Sequence, residues 1–203
     1  MNNIPKREEF PEFENIFRIS EDIMGFLPNS MLYMSYTPSI LLTFSMLSKV
    51  VLRQKSKVSI LEKIKIFGRL LISIVKRENE KDTIGAELRW LIAYVASNAA
   101  GCTYCQAHTS YSAYRVGVSE QKINEAFNFK ESSLFSEKEK SALSIALSGG
   151  STPNRTTKEH FFELNKYYSK KEILELISII SIFGFLNRWN DTLKTPLENI
   201  FNE

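Results

Sequence analysis

Two cysteines and a histidine follow one another at intervals of three residues, and their side chains can carry out redox chemistry. Cys102 and Cys105 are the only cysteines in the 203-residue chain, and His108 follows the second. Residues i, i+3 and i+6 of a helix stay on one broad face, so a helix here would bring the three side chains together. Two neighbouring thiols can be oxidised to a disulfide and reset by an outside reductant, which is a two-electron cycle. The spacing therefore predicts a thiol-based redox centre.

The place of the pair at the start of its helix bears on which thiol reacts. The helix is predicted to run from about Cys102 to Val116, with Gly117 where a C-terminal cap is expected. Unpaired backbone N–H groups and the dipole at a helix N-terminus stabilise an anion. On this argument Cys102 is the better thiolate, with its pKa below the usual value of about 8.5. His108, one turn after Cys105, is placed to accept a thiol proton directly or through a water.

Three other interpretations of these residues stay open. Both cysteines could be inert core residues, since free cysteine is often buried. They could hold a structural zinc ion, although zinc needs four ligands and the only other histidine is His160, which we place on a charged helix surface. His108 could be an ordinary core histidine. A cysteine pair with a histidine in helical register favours redox chemistry over all three.

Composition and charge narrow the functional classes. The formal net charge is +3 and no basic run is present, which argues against nucleic-acid binding because phosphate recognition needs clustered Lys and Arg. The N-terminal residues lack the apolar stretch of a secretory signal. The most apolar stretch, Ile173–Leu186, is too short to span a membrane and contains Glu175. We therefore expect a cytoplasmic protein with reduced thiols and with no membrane or nucleic-acid partner.

The elements that position this centre are predicted to be helices nearly throughout. Glycine (8) and proline (6) are scarce, and no segment shows sustained strand alternation. Two amphipathic segments, from Pro38 to Leu52 and from Ile60 to Val75, predict an α-hairpin, and helical periodicity returns over residues 83–100. The predicted fold class is all-α: a bundle of about eight to ten helices in a single domain over residues 1–203, with the CxxC at a helix N-terminus.

Capping boxes mark three later helix starts. In each, a Ser or Thr is followed three residues later by a Glu, so that the two side chains satisfy each other's backbone donors: Ser136 with Glu139, Thr156 with Glu159, and Ser169 with Glu172. The segment Gly149–Asn154, which lies between the first two, is predicted to be an exposed loop.

Three segments resemble a known superfamily. Val95–Thr109, with the sequence VASNAAGCTYCQAHT, resembles the active-site segment of the alkylhydroperoxidase D and carboxymuconolactone decarboxylase superfamily. Phe183–Thr192 resembles the C-terminal segment of its longer, peroxidase-related members, and Met24–Met31 resembles their N-terminal entry. The resemblance implies an all-helical fold that assembles as a homo-oligomer, with residues 83–117 as the core motif that carries the redox centre.

The resemblance also implies roles for the three residues. Cys105 would attack a peroxide and become a sulfenic acid, Cys102 would close the disulfide, and His108 would move protons; this order is opposite to the one that the helix dipole favours. The implied function is a thiol-dependent peroxidase without a bound cofactor or metal, recharged by a thiol/disulfide reductant protein. Two alternatives stay open: a carboxymuconolactone decarboxylase-type lyase that uses acid–base groups, and a non-catalytic thiol sensor or zinc-binding helical oligomer.

The chain departs from the family pattern at two positions. His108 comes three residues after Cys105 and not four, which leaves it on the same helical face. The relay glutamate of the best-studied members lies twelve residues before the first cysteine, where this chain has Trp90. Glu87, one turn earlier, could replace that carboxylate, or it could be a first-turn residue that interacts with the helix dipole. Loss of the usual glutamate weighs against efficient peroxidase turnover.

Polar and aromatic side chains follow the apolar run near the C-terminal end of the chain: Asn187, Arg188, Trp189 and Asp191. They could line a pocket or an oligomer contact near the thiols, or form a helix-end network in which Asp191 caps the helix or pairs with Arg188. The sequence slightly favours the helix-end network. Tyr104 and Tyr111 are open to a similar pair of interpretations, as pocket-lining residues or as core and subunit contacts.

Overall fold

The computed structural model describes residues 4–53, 59–78 and 84–201, and within these ranges it contains α-helices and short 3-10 turns but no β-strand. The all-α prediction is confirmed, and ten α-helices are present in the described ranges. They are Glu14–Met24 (α1), Asn29–Met34 (α2), Pro38–Val51 (α3), Ile60–Glu78 (α4), Ala86–Ala99 (α5), Thr103–Arg115 (α6), Glu120–Asn124 (α7), Glu137–Gly150 (α8), Lys158–Leu164 (α9) and Lys170–Leu193 (α10).

The chain divides into two compact units, Met1–Lys81 and Asp82–Glu203, where the sequence predicts a single domain. In the first unit, α3 and α4 pack together as the predicted α-hairpin, although residues 54–58 between them lie outside the described part of the chain. Its core is formed by apolar side chains of α1 to α4 and the turns before them, among them Phe13, Phe17, Leu32, Leu41, Leu42 and Leu70.

The helices of the first unit leave an unusual amount of apolar surface exposed. Val50 of α3 and Ile60 of α4 are each 73% exposed. The same holds for many of their neighbours: Phe44, Leu47, Val51, Leu52, Leu61, Ile64, Phe67, Leu71, Ile72 and Val75. Helices α1 to α4 also line an apolar cavity of about 430 Å³. Large apolar patches are typical of surfaces that another protein covers, so this face supports the expectation of a homo-oligomer, which stays a prediction.

The second unit is built around α5, which packs against α6, α8 and α10. Its buried side chains are mainly aliphatic, as in Leu91, Ile92, Leu143 and Leu176. The long helix α10 carries the apolar stretch noted in the sequence, and its buried Glu175 lies 3.3 Å from the Arg89 guanidinium of α5. No helix among the described residues is both long enough and apolar enough to cross a membrane.

Two of the three predicted capping boxes are confirmed and one is displaced by a residue. Ser136 caps α8 with Glu139, and Ser169 caps α10 with Glu172. The start of α9 is capped by Thr157, not Thr156, because His160 takes the third helical position and its Nδ1 accepts the Thr157 backbone N–H at 3.1 Å. The prediction that His160 is a surface residue is also wrong, since it is half-buried and its Nε2 lies 2.8 Å from Ser148 Oγ.

The predicted loop over Gly149–Asn154 begins two residues too early. Helix α8 continues through Gly150. At that residue its backbone packs directly against the backbone of α5. A Cβ on Gly150 would lie 2.6 Å from the Ala96 carbonyl oxygen, closer than carbon and oxygen can approach. Gly150 therefore serves close helix packing, and the irregular chain starts after it.

Candidate functional site

A tight turn between α5 and α6 places the cysteine pair. Gly101, with a φ of +80°, turns the chain after α5, and the Cys102 N–H donates to the Ser97 carbonyl at 3.1 Å. Cys102 is the N-cap residue of α6, and its Sγ accepts the Cys105 backbone N–H at 3.4 Å. This bond is the one that a serine hydroxyl makes at an ordinary N-cap. The prediction of a CxxC at a helix N-terminus is confirmed, and both thiols are free.

Burial opposes ionisation of the Cys102 thiol. Cys102 has no exposed surface and Cys105 is 3% exposed. Desolvation raises the pKa of the Cys102 thiol well above its usual range; the Cys105 and Asp191 side chains add to this rise, and the hydrogen bond from the Cys105 backbone N–H opposes it. Burial therefore works against the stabilisation that the helix N-terminus offers to a Cys102 thiolate. Which of the two thiols attacks stays a prediction.

The second sulfur is contacted from α10. Asn190 Nδ2 lies 3.5 Å from Cys105 Sγ and also donates to the Leu186 carbonyl at 3.0 Å. Asp191 follows directly and interacts with Cys102. In the described part of the chain no ion pair joins Asp191 to Arg188, so the pairing that the sequence offered for a helix-end network does not form. The polar end of α10 contacts the cysteine pair instead.

His108 is held by oxygen acceptors and not by the thiols. Its Nδ1 lies 2.9 Å from the Tyr104 carbonyl oxygen, and its Nε2 lies 2.9 Å from Glu198 Oε2. Both partners are hydrogen-bond acceptors, so each ring nitrogen of His108 faces an oxygen atom. The His108 ring stacks on Tyr104 at 4.1 Å and contacts Phe201 at 4.6 Å. No hydrogen bond joins His108 to either cysteine within the described residues.

Glu198 is the site residue that sequence reasoning missed. Its Oε1 accepts the Tyr104 hydroxyl at 2.7 Å while its Oε2 faces His108. The Tyr104 hydrogen bond, and to a smaller extent the charge of His108, hold the pKa of the Glu198 carboxyl below its usual range. The residue lies beyond the last helix, ninety positions after His108, and no spacing rule links it to the motif. Its contact becomes visible only when the chain end folds back onto α6.

Glu87 is not brought to the cysteines. It is exposed in the first turn of α5, and its Oε1 lies 3.7 Å from the position of a Cβ on Gly117, just beyond α6. Helical positions between Glu87 and Ser97 span roughly 15 Å, so the glutamate and the thiols occupy opposite ends of the α5–α6 hairpin. This placement favours the interpretation of Glu87 as a first-turn residue near the helix dipole. The carboxylate that pairs with His108 is Glu198.

Docking of the chain end through Glu198 is expected to depend on pH. Because the pKa of Glu198 is lowered in the folded protein, its contacts stabilise the docked chain end above the usual glutamate pKa and are lost as pH falls through the lowered value. Amide hydrogen exchange of residues 194–201, corrected for intrinsic rates, should accelerate in acid. Glu198→Gln should accelerate it at neutral pH. Glu163→Gln, which removes an exposed ion pair with Lys166, is the matched control and should leave these amides unchanged. Equal exchange in Glu198→Gln and wild type would contradict this account.

Two buried polar side chains of α5 and α10 have no hydrogen-bond partner in the described part of the chain. They are Ser97, through its Oγ, and Asn187, through both Nδ2 and Oδ1. Ser97 is fully buried and Asn187 is 4% exposed. An unpaired polar group in a protein interior costs about 1–3 kcal/mol, so such atoms need an explanation. No group of three or more His, Cys, Asp or Glu side chains suited to a metal ion occurs among the described residues.

Similarity to known proteins includes the helices that carry the cysteine pair. The family model of the carboxymuconolactone decarboxylase family matches residues 67–148. The crystal structure of the debrominase Bmp8 is 34% identical in sequence, with a TM-score of 0.56 over 97% of this chain and 91% of Bmp8. The chain belongs to the carboxymuconolactone decarboxylase family. The resemblance seen in the sequence is thereby confirmed.

A second Bmp8 structure and two further proteins are also similar to this chain. A cysteine-to-alanine variant of Bmp8, solved in complex with 2,3,4-tribromopyrrole, matches all of this chain and 95% of its own at 34% identity. The Bacillus subtilis protein YdfG is 26% identical over 125 residues, which are 61% of this chain and 82% of YdfG. A peroxidase-related protein from Silicibacter sp. TM1040 is 14% identical over 99% of this chain and 97% of its own, with a TM-score of 0.54. At that identity the likeness concerns the fold alone.

Proposed function

We propose that this protein is a thiol-dependent oxidoreductase that reduces a hydroperoxide, with Cys105 as the attacking sulfur and Cys102 as the resolving thiol. The observation that carries the proposal is the N-cap bond, in which Cys102 Sγ sits 3.4 Å from the backbone nitrogen of Cys105. This bond keeps the two side chains in the first turn of one helix. Two sulfurs so placed can close a disulfide after a small adjustment of that turn.

The proposed steps balance in atoms and electrons. The Cys105 thiolate attacks the terminal oxygen of the hydroperoxide, an S–O bond forms, the O–O bond breaks, and the released alkoxide takes up a proton to become an alcohol. The Cys102 sulfur then attacks the sulfenic sulfur of Cys105, which forms the disulfide and releases water. A separate dithiol, proposed to belong to a reductant protein, restores both thiols by exchange.

The environments of the two sulfurs support this division of roles. Burial raises the pKa of the Cys102 thiol and so favours its protonated form, which is a poorer nucleophile for the first step than a thiolate. Cys105 Sγ faces the Asn190 amide at 3.5 Å, a donor that favours a sulfur anion. The second cysteine is thus better suited to attack, in agreement with the order that the family resemblance implies.

His108 is proposed to move the protons of this cycle as part of a pair with Glu198. An imidazole beside a carboxylate, with Nε2 and Oε2 at 2.9 Å, is a common general acid–base arrangement. In this proposal the pair supplies the proton for the departing alkoxide once substrate is bound. Glu198 takes the place that the sequence offered to Glu87.

The proposal is tested by oxidising the reduced protein with one equivalent of tert-butyl hydroperoxide in the absence of reductant. Titratable thiols should fall from two per chain to none, and mass spectrometry should find Cys102 and Cys105 joined in one peptide. Adding a dithiol should restore both thiols and give repeated consumption of hydroperoxide. Oxidation without turnover would support the thiol-sensor alternative, and unreactive thiols would contradict the proposal.

Reductive dehalogenation is a second candidate, favoured by the 34% identity to the debrominase Bmp8 over nearly the whole chain. In that reaction the Cys105 thiolate would take bromine from a ring carbon, forming S–Br and leaving the C–Br electron pair on carbon, which takes up a proton. The Cys102 sulfur would then displace bromide from Cys105 and close the disulfide, with loss of its proton. One brominated ring and two thiols give one debrominated ring, a disulfide, bromide and a proton.

The rates with two alternative substrates distinguish the peroxidase from the dehalogenase. The reduced protein is supplied with a dithiol and with either tert-butyl hydroperoxide or 2,3,4-tribromopyrrole, and alcohol formation or bromide release is followed. Faster alcohol formation supports the peroxidase, and faster bromide release supports the dehalogenase. Muconolactone turnover by protein whose thiols have been alkylated would instead favour the lyase, since that chemistry needs no cysteine.

A further inference from the structure

We propose that Asn187, together with Ser97, forms a polar subsite that binds the hydroperoxyl group of the substrate beside the cysteine pair. The inference rests on the proposed function and assigns a substrate-binding role to residues that the steps above do not use.

The position of Asn187 on α10 places it close to both thiols. Asn187, Asn190 and Asp191 lie at i, i+3 and i+4 of α10, so they are neighbours on one face of the helix. Asn190 contacts Cys105 and Asp191 interacts with Cys102. At 100° per residue, the direction of Asn187 falls between those of the other two, one turn earlier along the helix. Its side chain is therefore directed at the part of the interior where the two cysteines lie.

Ser97 approaches the same region from α5. Its carbonyl oxygen holds the Cys102 N–H at 3.1 Å, and its hydroxyl is fully buried without a partner among the described residues. Helices α5 and α6 both pack against α10, so the helices that carry Ser97, the cysteine pair and Asn187 are neighbours in the second unit. Asparagines with a structural role are normally paired, as the half-buried Asn98 is with Gln106 at 3.0 Å.

The unpaired atoms match the chemistry of a hydroperoxide. Asn187 offers one donor group and one acceptor, and neither has a hydrogen-bond partner among the described residues. A hydroperoxyl group carries an O–H donor on its terminal oxygen and an acceptor on the inner one. Asn187 Oδ1 can accept the O–H while Nδ2 donates to the inner oxygen, which becomes the alkoxide when the O–O bond breaks. The Ser97 hydroxyl adds a donor for the same developing charge.

The test compares two reactions of Cys105 in the reduced full-length chain. In Asn187→Leu, the second-order rate constant for tert-butyl hydroperoxide should fall by about ten- to a hundredfold. The rate with iodoacetamide, which has no O–O bond to polarise, should change by less than about twofold. The thermal midpoint should stay level or rise, because an unpaired buried amide is replaced by an apolar side chain of similar size.

The control is Asn165→Leu, at the end of α9, where the amide donates to the Phe161 carbonyl at 2.7 Å. This variant should lower the thermal midpoint and leave both rates unchanged. If Asn187→Leu lowers the hydroperoxide and iodoacetamide rates equally, or lowers neither, the subsite is overturned while the peroxidase proposal stands. If wild-type thiols do not react with hydroperoxide at all, the proposed function fails and the subsite fails with it.

Discussion

Replacing Cys105 with serine is expected to reduce hydroperoxide turnover by at least about a thousandfold, because a serine hydroxyl cannot serve as the two-electron nucleophile. The fold should persist, since serine is nearly isosteric with cysteine and the Asn190 amide can donate to its oxygen as it does to sulfur. The measurement is consumption of tert-butyl hydroperoxide with a dithiol present, alongside the thermal midpoint. Near wild-type turnover in a folded Cys105→Ser protein would refute the proposed mechanism.

The matched variant is Cys102→Ser, which should fail at a different step. Its Cys105 should still consume one equivalent of hydroperoxide, and the sulfenic acid should accumulate because no second thiol resolves it. Serine is a good N-cap residue, so its hydroxyl should keep the bond to the Cys105 N–H and with it the start of α6. A dimedone adduct on Cys105 after one equivalent of oxidant reports this state. If the adduct instead forms at Cys102 in the Cys105→Ser variant, the order of attack is reversed.

Local chemistry made much of this site predictable. The break at the end of α5, the start of α6 at Cys102 and the capping boxes at Ser136 and Ser169 depend on residues within a few positions of each other. The same is true of the three-residue spacing that puts the thiols in one helical turn. One predicted helix start was displaced by one residue. His160 occupies the third helical position of α9, so that Thr157 is its N-cap residue.

Features that depend on distant residues could not be obtained in this way. The raised pKa of Cys102 follows from its complete burial in the folded unit, which opposes the helix-end effect that the sequence suggests. The partner of His108 is a glutamate ninety residues later, and the partner of Cys105 is an asparagine on α10. For Asn187 the sequence supplied only an unusual polar residue after an apolar run. Its burial without a partner became apparent only when α10 was packed against its neighbours.

Gly150→Ala is expected to be the most destabilising single-methyl change in the second unit described here. Its Cβ would lie 2.6 Å from the Ala96 carbonyl oxygen and 2.7 Å from the Ala96 Cα, and backbone atoms cannot move aside as a flexible side chain can. Helices α5 and α8 must separate, at a cost of about 2–3 kcal/mol in the free energy of unfolding. For a chain of this size, the thermal midpoint should fall by about 5–10 °C.

The control for this change is Gly184→Ala in α10, where no atom lies within 4 Å of the added methyl. That variant should raise the free energy of unfolding by about 0.5–1 kcal/mol, since alanine favours the helix over glycine. Ala96 directly precedes Ser97, whose carbonyl holds Cys102, so a displaced α5 should also disturb the cysteine turn. Gly150→Ala should therefore slow thiol oxidation as well as lower stability. A stable Gly150→Ala protein with wild-type thiol reactivity would contradict the packing that positions this site.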